Sequence, residues 1–145
     1  GLGDVYKRQE IDESLFSMID YFTPNETEAS FYVDHNVETH EDAEKAAIQL
    51  LEKGIKNVVI TLGEKGAFFA NNDEKFSLPI ANLSNPVVDT TGAGDAFNAG
   101  FAAALTEGQN IKDALKFASA TAGLSTTKIG TANSMPSREE IDKLL

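Results

Sequence analysis

The first part of the chain alternates between helical stripes of apolar residues and short apolar runs. Apolar side chains at helical spacing predict a helix over residues 10–19. The expected buried stripe of this helix is Ile11, Leu15, Met18 and Ile19. Residues 21–23 form a short β-prone run that ends at Pro24, and a short helix is expected from Asn25 to about Phe31.

A longer amphipathic helix and a buried strand follow. Thr39, with Asp42 three residues later, resembles the capping box that opens many helices. The next apolar positions lie on one helical face: Ala43, Ala46, Ala47, Leu50 and Leu51. Gly54 stands where a helix C-cap belongs, and residues 58–62 have the composition of a fully buried, parallel strand. A helix, a short loop and a buried strand in this order predict an α/β fold.

The second half of the chain predicts a hairpin and three helices. Residues 67–70 and 75–78 are separated by a polar turn, and Val87-Val88 predicts a short strand before a glycine turn. The helix after Asp95 is expected to bury Phe97, Phe101, Ala104 and Leu105. Asn110 and Asp113 cap the next helix, whose apolar positions are Ile111, Leu115, Ala118 and Ala122. Ser137 and Glu140 cap the last helix, whose apolar positions are Ile141, Leu144 and Leu145.

Composition restricts the partners. The chain has 145 residues, the size of one domain, with 12 Lys and Arg against 23 Asp and Glu and a net charge of −11. Because nucleic acids and anionic membranes attract basic surfaces, neither is expected as a partner. There is no Cys, which excludes disulfides and is in keeping with a cytoplasmic protein. The stretch over residues 97–105 is the longest rich in Ala and Phe, and it is too short to span a membrane.

The first nine residues, GLGDVYKRQ, differ from the rest because they have no clear hydrophobic period. We interpret residues 1–9 as a leader that is either non-native or disordered, and we expect no function in it. Residues 10–145 are expected to form the folded part.

The strongest chemical signal is the segment from Asp89 to Phe97, which reads Asp-Thr-Thr-Gly-Ala-Gly-Asp-Ala-Phe. Gly92, Ala93 and Gly94 precede an apolar helix, and the unpaired amides at a helix start attract anions. A phosphate there would lie beside Asp95, whose carboxylate repels it but could accept a proton from an attacking hydroxyl. The alternative for this turn alone is a capped helix start, because Asp is a favoured N-cap.

Two other segments are weaker candidates for ligand contact. The loop from Thr61 to Gly66 follows the buried strand, where α/β sheets bind ligands, although a plain hairpin turn is the alternative. It is neither a Walker A loop nor a dinucleotide-binding glycine motif. Asn25 and Glu28 lie on one helical face and could hold the water shell of Mg²⁺; the alternative is a helix start with acidic residues.

Three further polar residues receive expectations of their own. His35 and His40 lie in a polar stretch without a third metal ligand, so we expect both to be solvated surface residues. Asp89 is expected to accept hydrogen bonds from backbone amides or to bind a cation. The carbonyls of residues 128–134 could complete a monovalent-cation site with it.

Taken together, these elements resemble the ribokinase-like carbohydrate kinase family, of the phosphofructokinase-B type. Residues 89–97 match the family signature D-T-T-G-A-G-D-x-F throughout, and residues 23–29 resemble its N-x-x-E motif. Residues 59–67 resemble its nucleotide loop, and residues 117–136 are similar to the tail that packs against adenine and a potassium-like ion. The resemblance implies a three-layer α/β/α ribokinase-like fold, of which this chain would form the C-terminal portion of the sheet with its flanking helices.

The resemblance also implies a role for each matching residue. Asp95 corresponds to the base that touches the sugar and deprotonates its hydroxyl, and Gly92, Ala93 and Gly94 correspond to the anion hole. Asn25 and Glu28 correspond to the pair that organises Mg²⁺, mostly through water. The loop along ATP corresponds to Thr61, Leu62, Gly63, Glu64, Lys65 and Gly66. Ser119 falls where ribokinases often carry a His beside adenine. The positions for a monovalent cation such as K⁺ are Asp89, Thr91, Ser125, Lys128, Gly130 and Ser134, several of which act through backbone carbonyls.

The activity that the resemblance implies is ATP-dependent phosphorylation of a sugar hydroxyl, with D-ribose to ribose 5-phosphate favoured. Family members are longer, and the half that carries most sugar contacts has no counterpart in this sequence. We therefore expect residues 10–145 to be the C-terminal, nucleotide-binding and catalytic part of a kinase that is a homodimer when complete, and to be inactive alone. The alternatives are another sugar or nucleoside kinase of the family and a nucleotide-binding fragment without catalysis.

Overall fold

The computed structural model describes residues 11–145, so the leader predicted over residues 1–9 lies outside the described residues. The elements in chain order are α1 (Glu13–Phe16), β1 (Tyr21–Phe22), α2 (Glu26–Tyr32), α3 (His40–Glu52), β2 (Asn57–Thr61), β3 (Ala67–Asn71), β4 (Lys75–Leu78), α4 (Ala93–Thr106), α5 (Ile111–Ser125) and α6 (Arg138–Leu144). Short 3₁₀ turns occupy Gly63–Lys65 and Ala132–Ser134.

The four strands form one mixed sheet in the order β1-β2-β3-β4. Strand β1 pairs with β2 in parallel, and the other neighbours pair antiparallel. The β2–β3 register runs from Asn57 opposite Asn71 to Thr61 opposite Ala67. The β3–β4 register runs from Ala67 opposite Leu78 to Ala70 opposite Lys75, which confirms the predicted hairpin. Strand β2 is parallel to β1 and antiparallel to β3, so the predicted parallel pairing holds on one side of the strand only.

Successive residues of the two central strands enter two different cores, because side chains alternate between the faces of a sheet. Val58 and Ile60 of β2 and Phe68 of β3 pack in the core that α2 and α3 cover. Val59 and Phe69 pack in the other core, with α4, α5 and α6. Helices thus cover both faces of the sheet, which confirms the three-layer α/β/α fold class.

Polar side chains fix the starts of the helices where the sequence predicted them. Thr39 and Asp42 form a capping box at α3, and Ser137 and Glu140 form another at α6. Asn110 accepts a hydrogen bond from the amide of Asp113 at the start of α5. Of the helices in residues 11–145, none combines the length and the apolar character that a membrane crossing requires.

Two predicted elements are wrong. The helix expected over residues 10–19 is only the short α1, because Asp12 caps it at Ser14 and the chain turns at Ser17. Phe16 enters the core, and of the expected stripe Ile11 and Ile19 are partly buried against it. Leu15 and Met18 are 47% and 73% exposed.

The strand expected at Val87-Val88 is an irregular, exposed segment. The amide of Val88 donates to the carbonyl of Thr126, just after α5, at 2.7 Å. This segment therefore pairs with the end of a helix and not with the sheet.

Candidate active site

Helix α4 begins at Ala93, so Gly94 and Asp95 lie in its first turn and not before it. Gly92 caps the helix with φ 77° and ψ 7°, a left-handed conformation that favours glycine. The amide of Ala93 donates to the carbonyl of Thr90 at 3.2 Å, so the geometry removes it from the predicted set of anion-binding amides. Within residues 11–145 the amides of Gly92, Gly94 and Asp95 have no acceptor.

A cleft joins the start of α4 to the carboxyl ends of β1 and β2. Its lining residues are Thr23, Asn25, Glu28, Thr61, Gly94, Asp95, Phe97 and Asn98. Asn25 and Thr61 face each other as an isolated parallel bridge, and the amide of Thr61 donates to the carbonyl of Pro24 at 3.0 Å. Three segments that are distant in the sequence thus meet at the sheet edge where α/β proteins bind ligands.

The side chain of Asp95 lies in this cleft and belongs to an exposed residue. Its carboxylate makes no hydrogen bond or ion pair with any other residue of the described range 11–145. The carboxylate oxygens can therefore accept a proton from a hydroxyl group that enters the cleft.

Asn25 and Glu28 form a capping box at the start of α2. The side-chain oxygen of Asn25 accepts from the amide of Glu28 at 2.9 Å, and Glu28 Oε2 accepts from the amide of Asn25 at 3.0 Å. This is the helix-start alternative that the sequence left open. Both residues also line the cleft, so the capping role and a role toward ligand water are compatible.

Sequence reasoning missed Thr23, Phe97 and Asn98 as lining residues of the cleft. Asn98 follows Asp95 by three residues, and this helical spacing places the two on one face. Thr23 directly follows β1, at the edge where ligands bind. Phe97 was assigned to the core, where it is only 5% exposed, and no signal in the sequence distinguishes its second role.

The loop from Thr61 to Gly66 is a tight turn after β2. Only Thr61 of this loop lines the cleft, whereas Leu62 is buried in the core beneath α3. The amide of Leu62 donates to the carbonyl of Gly66 at 2.8 Å and closes the turn. Gly66 has φ 92°, and a Cβ there would lie 2.0 Å from the carbonyl oxygen of Leu78, so only glycine fits.

Neither His35 nor His40 is the solvated surface residue that the sequence predicted. His35 Nε2 lies 3.1 Å from the carbonyl oxygen of Asp42, and Nδ1 lies 3.2 Å from the carboxylate of Asp34. The Asp42 carbonyl, and after it the Asp34 carboxylate, raise the pKa of His35 above its ordinary value. His40 Nε2 lies 3.0 Å from the carbonyl oxygen of Lys65. Both rings are half-buried because each binds a backbone carbonyl.

Asp89 joins the glycine turn to the segment after α5. Its carboxylate accepts from the amide of Thr91 at 2.9 Å and from the amide of Gly130 at 3.0 Å. The Gly130 amide, followed by the hydroxyl and amide of Thr91, lowers the pKa of Asp89 to about 2. Asp89 therefore accepts from backbone amides, as the sequence predicted, and stays ionised at neutral pH.

The other predicted monovalent-cation positions use their side chains elsewhere. The buried hydroxyl of Ser134 donates to the carbonyls of Gly130 and Thr131, at 2.7 and 2.6 Å. The hydroxyl of Ser125 donates to the carbonyl of Ala122, and Lys128 forms an ion pair of 3.0 Å with Glu140. The ammonium of Lys128 has no lone pair, so any cation contact of Lys128 is left to its backbone carbonyl.

Ser119 lies on α5 and is half-buried. Its hydroxyl oxygen accepts from the amide of Ala81 at 3.2 Å and holds the irregular segment after β4 against the helix. Ser119 is not among the residues that line the cleft.

A mixed sheet covered by helices on both faces, with a cleft at its strand ends, defines an α/β protein. The chain belongs to the pfkB family of carbohydrate kinases, whose model matches residues 3–138. It is 42% identical to a ribokinase of Haemophilus influenzae over 132 residues, which cover 91% of this chain and 42% of that protein. It is 36% identical to a deoxyribokinase of Salmonella typhi, over 94% of this chain and 44% of that protein.

The structure of Arabidopsis thaliana ribokinase complexed with ribose and ATP is similar to this chain, with a TM-score of 0.87 and 38% sequence identity. The match covers 92% of this chain and 43% of that one. The chain thus spans less than half the length of these relatives.

Proposed function

We propose that this chain serves in the ATP-dependent phosphorylation of a sugar hydroxyl, with D-ribose as the favoured acceptor. The observation that carries the proposal is the position of Asp95, whose unpaired carboxylate shares one cleft with the start of α4 and with Asn25 and Glu28. Phosphoryl transfer depends on positioning and charge stabilisation more than on covalent chemistry by the protein, and this cleft offers both.

Asp95 is the general base of the proposed reaction. It accepts the proton of the sugar hydroxyl as the oxygen of that hydroxyl attacks the transferred phosphoryl group. The amides of Gly94 and Asp95 lie in the first turn of α4, the end of a helix that attracts anions. Neither amide has an acceptor within residues 11–145. They stabilise the negative charge that develops on the phosphoryl oxygens, and Gly92 sets the direction of the turn.

Asn25 and Glu28 are the residues that would hold Mg²⁺, through water. No cluster of three or more His, Cys, Asp or Glu side chains that could hold a metal ion occurs in residues 11–145, which argues against a site made of protein ligands alone. Mg²⁺ commonly keeps several waters and binds substrate phosphates, so one amide and one carboxylate fit it. Bound there, it would neutralise charge on the phosphates.

A monovalent cation such as K⁺ would bind near Asp89, with oxygens from Thr91, Ser125, Lys128, Gly130 and Ser134. Asp89 is suited to this role because its pKa of about 2 keeps the carboxylate ionised. The carboxylate already orders the backbone at Thr91 and Gly130, so a cation there would stiffen the segment beside the glycine turn.

The sugar is the least constrained part of the proposal. Ribose is favoured by the names of the ribokinase relatives, and 2-deoxyribose is the second candidate because one relative is a deoxyribokinase. Thr23 and Asn98 would lie on the acceptor side, since both line the cleft with Asp95 and neither is placed on the nucleotide side. We also propose that the complete protein forms a homodimer and that it is cytoplasmic.

The substitution Asp95→Asn in the intact protein tests the proposed base. Turnover with ribose should fall on the order of 100-fold or more, because the amide cannot accept the proton. ADP binding, measured by calorimetry, should change little. Asp73→Asn is the matched control, since Asp73 is an exposed carboxylate in the β3–β4 turn, outside the cleft. Equal turnover of the Asp95→Asn protein and the control would contradict the assignment.

A further inference from the structure

Two hydrogen bonds of opposite direction tie the turn Gly63–Lys65 to the start of α3. His40 Nε2 lies 3.0 Å from the carbonyl oxygen of Lys65. The ammonium group of Lys65 donates in turn to the carbonyl of Glu38 at 2.7 Å. We call this pair of contacts the His40–Lys65 clamp. It connects residues 25 and 27 positions apart in sequence, so it fixes the turn relative to a helix of another segment.

The clamp fixes the tautomer of His40. A carbonyl oxygen only accepts, so Nε2 of His40 must carry the hydrogen. Nδ1 of the same ring is buried and has no hydrogen-bond partner within residues 11–145. Burying an unpaired polar atom costs free energy, and each such atom in a native structure calls for an explanation. A ring without this nitrogen would fit the site with less loss, so stability alone does not account for a histidine at this position.

The turn that the clamp holds is continuous with the cleft. Thr61, which immediately precedes Leu62 and the turn, lines the cleft together with Asp95. A Cβ on Gly63 would lie 3.8 Å from Glu26 Oε1, an ordinary contact distance, so the turn lies beside the start of α2. The ammonium of Lys65 donates to the carbonyl of Glu38. The turn would therefore contact a nucleotide through its backbone.

We propose that His40 is a positioning residue for the nucleotide: it holds the Gly63–Lys65 turn in the shape that receives ADP or ATP. This inference rests on the proposed function, because it assumes that the turn borders a bound nucleotide. His40 does not touch the nucleotide and acts through the carbonyl of Lys65. Loss of the clamp lets the turn sample other shapes, and nucleotide binding then has to restore the correct one.

The test separates affinity from stability in the 145-residue chain. His40→Phe keeps an aromatic ring but removes both nitrogens, the bonded Nε2 and the unpaired Nδ1. It should weaken Mg²⁺–ADP binding about tenfold in calorimetry and leave the melting temperature unchanged or raised. A lost hydrogen bond with a merely structural role would lower the melting temperature and leave affinity alone.

Two companion variants keep the result interpretable. His40→Gln carries an amide nitrogen at about the reach of Nε2 and should restore ADP affinity, whereas His40→Asn is too short and should not. His35→Phe is the matched control, because His35 is a second half-buried ring that bonds a backbone carbonyl, that of Asp42, away from the turn. It should bind ADP as tightly as the unsubstituted chain.

The outcomes distinguish the two proposals. If the unsubstituted chain binds Mg²⁺–ADP and His40→Phe binds it equally well, the positioning role of His40 is overturned and the proposed function stands. If His40→Phe does not fold, the ADP affinities of His40→Gln and His40→Asn decide the question: equal affinities overturn the positioning role. If the unsubstituted chain does not bind ADP, the proposed nucleotide cleft is overturned, and the role of His40 is overturned with it.

Discussion

Gly92 packs against Thr131, because a Cβ atom at Gly92 would lie only 3.1 Å from Cγ2 of that residue. The contact joins the cap of α4 to the segment that follows α5. Asp89 reinforces it through its bond to the amide of Gly130. The turn at the start of α4 is thus held by the segment that follows α5. At Gly94, in contrast, a Cβ would have no neighbour within 4 Å.

Gly92→Ala should destabilise the chain. The φ of 77° is a left-handed conformation that costs a residue with a Cβ about 1–2 kcal/mol, and the contact with Thr131 adds to this. We expect a lower urea midpoint with an unchanged slope, as for a pure change in stability. A midpoint equal to that of the unsubstituted chain would mean that the turn relaxes at no cost.

Gly94→Ala should keep or raise stability but weaken ADP binding. The new methyl group meets no atom, and alanine is a better helix former than glycine by about 1 kcal/mol, so the urea midpoint should hold or rise. The methyl group would project at a position that lines the cleft. If the open amides bind phosphate, Mg²⁺–ADP affinity should fall, by about tenfold or more. An ADP affinity that is unchanged in calorimetry would argue against anion binding at this helix start.

Local patterns predicted a fully buried strand at β2 and most helix starts, because apolar runs and capping residues act over a few positions. The alternation in β2 gives Val58 and Val59 to different cores. Residues 10–19 failed for a tertiary reason. Their apolar spacing is helical, but Phe16 takes the core position beside Tyr32, and Leu15 and Met18 are left exposed. Propensity is a weak prior where so few turns are involved.

The candidate site was predictable as a set of segments but not as a set of contacts. The sequence singled out Asp95 and Thr61, which the structure brings together in one cleft. It could not place Phe97 there or couple His40 to Lys65, since both results depend on how helices lie against the sheet. The His40 ring, expected in solvent, binds a carbonyl 25 residues away in sequence. Polar residues in polar stretches carry no sequence signal for such contacts.

Gly100→Ala should loosen the packing of α4 on α5. A Cβ at Gly100 would lie 2.6 Å from Oγ1 and 2.9 Å from Cβ of Thr121. The Thr121 hydroxyl donates to the carbonyl of Phe117 at 2.7 Å, so this side chain cannot turn away without losing its bond. Overpacking of this kind costs about 1–3 kcal/mol, which urea unfolding would detect. Thr121→Ala removes the closest atom, and the double variant should recover part of the loss; strictly additive losses would place the strain elsewhere.

His35 should make stability depend on pH in the neutral range. Its pKa lies above the ordinary 6.5 because of the Asp42 carbonyl first and the Asp34 carboxylate second. The folded state therefore holds the proton more tightly than the unfolded chain. The resulting stabilisation is complete below the ordinary pKa of 6.5 and disappears as the pH rises through the higher folded pKa. The difference in urea midpoint between the unsubstituted chain and His35→Phe should be larger near pH ~6 than near pH ~9. Asp34→Asn should lower the His35 pKa in an NMR titration, and a His35 that titrates below 6.5 in the unsubstituted chain would refute the direction of the shift.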